Sequence, residues 1–336
     1  MRITTFCLAA LLLVAADASA AQLDADAING AEWRGKAQDQ ALLVKAQVLL
    51  DRAKFSPGEI DGRAGDNFRK ALSAFARERG FDASDKLSEH VWRELTATSS
   101  DPVVIEYKLS DKDVSGPFLD KVPVKLDDMQ GLPALSYANA REKIAEQFHM
   151  SEELLAALNP GKNFDRPGET ITVVRGGSQQ LPAKAAKLEI DKTAQTLRAL
   201  DKSGGLIAFF PITAGSAGKP APSGELKIRT VARNPTYRYN PEYAFKGVRS
   251  KEAFTIAAGP NNPVGLVWIG LPGEGYGIHG TPDPAKVGKT ESHGCIRLTN
   301  WDALQLADLV SKGTPVTFLG EDKAKKKPSA RRRARR

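Results

Sequence analysis

A mainly β C-terminal domain with one packed helix, preceded by small α and α/β accessory modules, is the fold class that this 336-residue sequence predicts. Three patterns predict it. From Lys187 onward apolar residues alternate with polar ones, beginning with Leu188 and Ile190, which is the period of a half-buried strand. Upstream, residues 36–98 and 134–175 carry apolar residues at helical spacing. Between them, Asp101-Pro102, Gly116-Pro117, Pro123 and Pro133 mark 99–133 as a linker with short strands. At ~150 residues per domain, the length fits two or three units.

Residues 1–20 read as a signal peptide. Arg2 provides the positive start, Leu8 to Ala16 is apolar, and Ala18-Ser19-Ala20 is a small-x-small cleavage pattern. No later segment approaches the ~20 apolar residues of a membrane span. The expectation is an exported protein of the periplasm or cell envelope. Cleavage removes Cys7 and leaves Cys295 as the one cysteine, which excludes a disulfide scaffold.

In 36–98, Leu42, Leu43, Ala46, Leu49 and Leu50 share a helical face, and Ser56-Pro57-Gly58 ends it. Asp66 or Asn67 can cap a second helix that carries Ala71, Leu72 and Phe75. In 134–175, Asn139 and Ser151 can cap two helices, Asn159-Pro160-Gly161 stops the second, and Ile171 to Val174 is strand-like. His149 reads as structural beside Phe148, and His90 is assigned no role. In the β region, turns at Asp191-Lys192-Thr193 and Ser203-Gly204-Gly205 separate strands, with others expected at Glu225–Val231 and Val264–Ile269. Asn300 is expected to cap the single helix, which carries Trp301, Leu304 and Ala307. Val316 to Leu319 reads as a closing strand.

The formal net charge is +8, yet Lys323 to Arg336 holds four lysines, five arginines and no acid, which leaves −1 for everything before it. The expected tail, 321–336, has no apolar face and is read as a disordered basic segment meeting an anionic envelope surface, or as a solvated extension. A near-neutral body offers no basic face for nucleic acid, so none is expected as a partner.

The chemistry is concentrated in one short stretch. Gly277-Ile278-His279-Gly280 is followed within seventeen residues by Ser292-His293-Gly294-Cys295-Ile296-Arg297. A thiol attacks only as thiolate and needs a base or cation nearby, which the histidines and Arg297 offer. Zinc is the rival chemistry, but His279, His293 and Cys295 give three ligands at most, so a Cys–His nucleophile is favoured. No cofactor or metal is expected, because neither a phosphate loop nor a Gly-x-Gly-x-x-Gly turn opening a helix occurs.

This segment resembles the L,D-transpeptidase (YkuD) catalytic domain, whose signature is His-Gly, a spacer, then Ser-His-Gly-Cys with a following Arg. The resemblance covers about 186–320, including Thr213-Ala214-Gly215 and Gly259-Pro260-Asn261-Asn262-Pro263-Val264-Gly265, with Ser223 where the family usually has Thr. It implies a YkuD-type β-sandwich in which Cys295 attacks a peptidoglycan stem peptide, releases D-Ala and passes the acyl group to an amine. It also implies that His279 transfers the proton, that the Gly280 carbonyl orients His279, and that amides near Gly294 and Cys295 stabilise the oxyanion. Ser292, His293 and Arg297 are supporting residues, His293 shaping the site and Arg297 holding the loop or a substrate carboxylate, or else a surface ion pair. Carbapenem acylation of Cys295 is implied as well.

Tyr237, Tyr239, Tyr243 and Phe245 are a candidate lid over the cleft. The run Gly58 to Gly62 with Phe68 to Phe75 resembles a peptidoglycan-binding repeat. The order helix, Phe148-His149-Met150-Ser151, helix, Asn159-Pro160, strand resembles a LysM domain, with its usual opening strand poorly preserved. Both imply contact with glycan strands, and a spacer role stays open. The acceptor is also open: a second stem peptide, a lipoprotein lysine, or water, the last making an L,D-carboxypeptidase or amidase. A non-catalytic wall-binding protein is the remaining alternative, against which intact His279 and Cys295 argue.

Overall fold

The computed structural model describes residues 23–35, 39–82, 85–177, 183–216, 218–243, 247–292 and 294–321. The signal-like residues 1–20, Phe245, His293, the side chain of Tyr243 and the basic tail from 322 onward lie outside them.

Among the described residues, the first elements are the helices α1 (Ala25–Asn29), α2 (Gln40–Arg52), α3 (Asp66–Glu78) and α4 (Glu89–Ala97). Asp39 caps α2 by accepting from the Ala41 amide at 3.0 Å. The expected cap of α3 is corrected, because Gly65 holds that position without a side-chain bond. Asn67 instead donates to the Val287 carbonyl at 2.8 Å, a tertiary acceptor that the local pattern cannot reveal.

Next come β1 (Val104–Lys108), α5 (Asp111–Val114), α6 (Leu126–Met129), α7 (Ala140–Gln147), α8 (Glu152–Leu158) and β2 (Thr170–Val174). Asn139 and Ser151 cap α7 and α8 as expected. Strand β1 pairs antiparallel with β2, from Val104 opposite Val174 to Lys108 opposite Thr170. The segment read as a linker therefore supplies one strand of the second unit's sheet. The helices of both N-terminal units, with β1 and β2, share one apolar core that also takes in Phe209 from the C-terminal domain. They form one body because each helix is too short to bury its apolar stripe alone.

The C-terminal domain holds β3 (Lys187–Asp191), β4 (Thr196–Leu200), β5 (Leu206–Pro211), β6 (Thr213–Ala214), β7 (Gly224–Lys227), β8 (Thr230–Arg233), β9 (Tyr237–Tyr239), β10 (Phe254–Ile256), β11 (Val267–Gly270), β12 (Gly277–His279), β13 (Ile296–Arg297), α9 (Asn300–Leu309) and β14 (Pro315–Leu319). One five-stranded sheet runs β5-β4-β3-β14-β7 and the other β6-β13-β12-β11-β8, while β9 and β10 form a separate hairpin. Leu188, Ile190 and Phe210 of the first sheet share a core with Ile269, Ile278 and Ile296 of the second and with Leu306 of α9. This is the mainly β, one-helix domain that the alternation predicts. The strand expected over Glu225–Val231 is two, β7 and β8, which lie in different sheets with buried Ile228 at the corner.

Contacts at Phe55, Ser56 and His149 are among those that fasten the N-terminal body to this domain. Phe55 bridges to Phe209, with Ser56 N donating to Phe209 O at 2.9 Å. Ser56 Oγ donates to Asp302 Oδ2 at 2.9 Å, and the His149 ring stacks on Trp301 at 5.2 Å. His149 also meets Asp51 at 3.1 Å. Burial alone would push the imidazole down, but Asp51, Asp302 and Glu146 hold it above its usual value.

Burial pushes Glu59, Glu146 and Asp302 each up to about 7. Between about pH 4.5 and 6.5 the folded chain keeps protons at these carboxyls that the unfolded chain has released, so each contributes stability at low pH that fades as pH rises. His149 has the same sense and loses its contribution as pH rises through its raised value. His279, pushed down to about 3 by burial and Arg297, opposes them. Three carboxyls outweigh one imidazole, so Tm is expected to fall from about pH 5 to pH 7. Asp302→Asn, which keeps an acceptor for Ser56, should flatten that slope in calorimetric scans across pH. An unchanged slope would show that Asp302 does not hold its proton.

Candidate active site

The second sheet builds the site through its register. Trp268 of β11 lies opposite His279 of β12, and His279 lies beside Arg297 of β13. Residues in register share a face, so this row stands on one side of the sheet while Ile269, Ile278 and Ile296 fill the core on the other. The row lines a cleft of about 1290 Å³ together with Gly294, Cys295 and Tyr276.

His279 is buried, and its Nδ1 donates to the Gly280 carbonyl at 2.6 Å. That bond assigns the proton to Nδ1 and leaves Nε2 as the basic nitrogen. With a pKa pushed down to about 3 by burial and the neighbouring Arg297 charge, the ring is neutral at physiological pH. The Trp268 indole stacks on it at 5.7 Å. Gly277 makes that stacking possible, since a Cβ there would sit 2.5 Å from the indole.

Cys295 is half-buried and reduced, and its Sγ donates to the Gly275 carbonyl at 3.0 Å. Burial pushes the thiol above its ordinary value, while the Gly277 amide, Arg297 and Lys219 pull it back. The resting pair is therefore a protonated thiol and a neutral imidazole. Gly294, before the cysteine, has φ +92°, a left-handed conformation that suits glycine. Ser292 is buried behind the thiol, where its hydroxyl donates to the Cys295 carbonyl at 2.6 Å. Arg297 lines the cleft, and its buried Nε has no hydrogen-bond partner. No carboxylate pairs with it among the described residues, which corrects the surface ion-pair alternative. His293 lies outside the described residues. Among those described, no three His, Cys, Asp or Glu side chains group as a metal site, and no helix is long and apolar enough to cross a membrane.

The candidate lid divides. Tyr237 lines the cleft, but Tyr239 is buried against Phe254, ring centroids 4.9 Å apart, in a cluster with Met129 and Leu135. Tyr239 is thus corrected to a packing residue, because a two-stranded hairpin must bury one face to persist.

Asn300 is a second correction. Thr299 caps α9, accepting from the Asp302 amide at 3.2 Å. Asn300 instead braces the turn behind His279. Its Oδ1 accepts from the Leu266 amide at 3.0 Å, and its Nδ2 donates to Pro260 O at 3.1 Å and to Glu146 Oε2 of α7 at 3.0 Å. A Cβ on Gly280 would lie 2.3 Å from that Oδ1. Asn300→Ala leaves the part-buried Leu266 amide unpaired and is expected to cost about 1–3 kcal/mol in denaturant unfolding. A loss under about 0.5 kcal/mol, the range of an ordinary surface change, would show the brace is dispensable.

The L,D-transpeptidase catalytic-domain family, YkuD, matches residues 185–318. The putative L,D-transpeptidase YkuD of Bacillus licheniformis is 30% identical over 177 residues, which is 53% of this chain and 92% of that protein. This chain belongs to the YkuD L,D-transpeptidase family. The probable L,D-transpeptidase ErfK/SrfK of Escherichia coli K12 is 33% identical over 190 residues, 54% of this chain and 59% of that one. An L,D-transpeptidase structure from Mycobacterium smegmatis aligns at 20% identity with a TM-score of 0.33, covering 46% of this chain and 64% of that one.

Membership makes the chain an L,D-transpeptidase-type enzyme with a cell-wall role. Contributors to its cleft that were not singled out from the sequence include Trp268, Tyr276, Lys219 and the distant segment 124–126. A signal for the first two existed in Gly273-Glu274-Gly275-Tyr276-Gly277, a glycine run that lets aromatic rings approach backbone.

Proposed function

We propose that the chain is an exported cysteine L,D-transpeptidase that forms cell-wall cross-links. The family acts on peptidoglycan stem peptides. The observation that carries the finer reading is the Nδ1 bond from His279 to Gly280, which leaves a neutral Nε2 in the cleft that holds Cys295.

In the proposed reaction, Cys295 Sγ attacks the carbonyl of the third stem residue while its proton passes to His279 Nε2. The Gly277 amide and Arg297 favour the thiolate as it forms. Amides at Gly294 and Cys295 receive the oxyanion, a donor set worth ~3–4 kcal/mol per well-placed bond. Collapse breaks the bond to D-Ala, whose amine takes the proton from His279 and leaves a thioester. An acceptor amine then attacks the thioester, gives its proton to His279 and expels the thiolate, which is reprotonated.

Incubating the mature protein with disaccharide-tetrapeptide tests this. Cross-linked dimer is the expected product. Tripeptide alone would make the enzyme an L,D-carboxypeptidase, and transfer only to a lysine peptide would make it a lipoprotein-attaching enzyme. No product would overturn the reading.

Export rests on the signal-like 1–20, and envelope attachment on the basic tail, each cation adding up to ~1 kcal/mol at an anionic membrane. Truncation after Gly320 is expected to release the enzyme from envelope fractions at lower salt, and equal retention would remove the anchor. The pair α7 and α8 followed by β2, which pairs antiparallel with β1, supports a LysM-like module into whose order α5 and α6 are inserted, and binding to insoluble peptidoglycan by Cys295→Ala protein tests its glycan contact.

A further inference from the structure

We propose that residues 119–135, inserted between β1 and α7, are a strap that forms one wall of the reactive cleft, and that Lys125 on this strap recognises a carboxylate of the bound peptide. The proposal rests on the stem-peptide reading above and adds to it a substrate contact supplied from outside the catalytic domain.

The first observation is placement. Val124, Lys125 and Leu126 line the cleft that holds Cys295, although they lie about 150 residues before the motif in sequence and outside the family match at 185–318. The second is exposure. Val124 is 91% exposed, and the one other large apolar side chain exposed among the described residues is Leu319 at 43%. A lone exposed valine is ordinary on a convex surface. On the rim of a cleft that must receive a peptide, it is apolar area waiting to be covered.

The third observation is that the strap is held firmly. Both oxygens of the Asp127 carboxylate accept backbone amides of the loop after β9, Arg249 and Ser250, each at 2.9 Å. Arg249 also pairs with Asp128 at 3.1 Å. Met129 and Leu135 pack with Tyr239 and Phe254 of the hairpin. Leu135 exchanges backbone bonds with Ala258 and Asn261 at 2.9 Å. Gly259 has φ +145°, and a Cβ there would lie 2.2 Å from the Leu135 carbonyl, so the chains meet at backbone distance. A segment fastened at this many points presents residues 124–126 in a set position, and a preorganised contact loses little entropy on binding.

The fourth observation is charge. Lys125, Lys219, Arg238 and Arg297 line the cleft against Glu274 alone among acids. Among the described residues, no hydrogen bond or ion pair engages the Lys125 ammonium, while its carbonyl accepts from the Asp128 amide at 3.0 Å. A concave, net cationic surface concentrates anionic ligands, and stem peptides carry free carboxylates. Lys125 is the strap's own cation at this wall.

The test compares disaccharide-tetrapeptide with the same compound amidated at its free carboxyls, using the mature chain and its Lys125→Met variant. Lys125→Met is expected to raise KM about ten-fold for the free-carboxyl substrate, the size of one lost charge-assisted contact, with the loss in KM rather than in kcat. The amidated substrate should bind more weakly to wild type and show no further loss in the variant. An equal loss on both substrates, or no loss on either, overturns the role of Lys125. Val124→Asp, which puts a negative charge on the same wall, should weaken the free-carboxyl substrate more than the amidated one; if it affects neither, the strap is not a wall of the binding site. Calorimetric titration of both compounds into Cys295→Ala protein, with and without Lys125→Met, separates the two readings. A carboxyl-dependent loss of binding there supports the strap even if the wild type shows no turnover, and turnover without that dependence removes the strap alone. Absence of binding to Cys295→Ala would overturn the strap proposal outright.

Discussion

Cys295→Ala is expected to abolish both dimer and tripeptide formation from disaccharide-tetrapeptide, with a fall in kcat of about four orders of magnitude or more. The magnitude follows from the covalent step, since without Sγ no thioester forms and both half-reactions lose their intermediate. The fold should be unaffected. Cys295 is half-buried, and its side-chain hydrogen bond goes to the Gly275 carbonyl, so Tm should move by no more than a surface change would give. Chromatography and mass spectrometry of the products, beside a melting curve, check both parts. Residual activity within a hundred-fold of wild type would assign the nucleophile elsewhere.

His279→Ala is expected to lower kcat/KM by about 10²–10⁴-fold, the range of a lost general base. Its pH behaviour is more specific. The ring is held at about 3, so it stays neutral down to weakly acidic conditions and no imidazolium is stored at rest. Burial holds the Cys295 thiol above its ordinary value. Iodoacetamide alkylation of Cys295 should therefore keep rising with pH beyond the ordinary thiol range, without a plateau near neutrality. Such a plateau would mean that a thiolate–imidazolium pair already exists at rest, contrary to the raised thiol. His279→Ala should slow alkylation at neutral pH and leave the alkaline rate, where hydroxide makes the thiolate, nearly unchanged.

The chemistry was legible in the sequence because it is local. His279 lies on β12 and Arg297 on β13, two adjacent strands, and Cys295 directly precedes β13. A thiol, an imidazole and flanking glycines at that spacing point to few reactions. The β class was legible as well, since alternation at Leu188 and Ile190 requires one face in and one face out. Errors fell where a side chain had two possible partners. Asn300 and Asn67 have cap chemistry, yet each is taken by a tertiary acceptor or donor, Asn300 by a glutamate 154 positions away. Tyr239 has the composition of a lid and the environment of a core.

The sequence by itself determined the family, the mainly β class of its catalytic domain and which residues are proposed to react, all of which depend on residues close together along the chain. Only the tertiary structure decided that the N-terminal units are one body sharing a core with Phe209, that Glu146 braces the turn behind His279 through Asn300, and that residues 124–126 stand at the cleft. Those arrangements arise from apolar faces and buried polar groups seeking partners more than a hundred residues away. Hydrophobic burial carries no direction along the chain, so only the folded packing selects which partner each face finds.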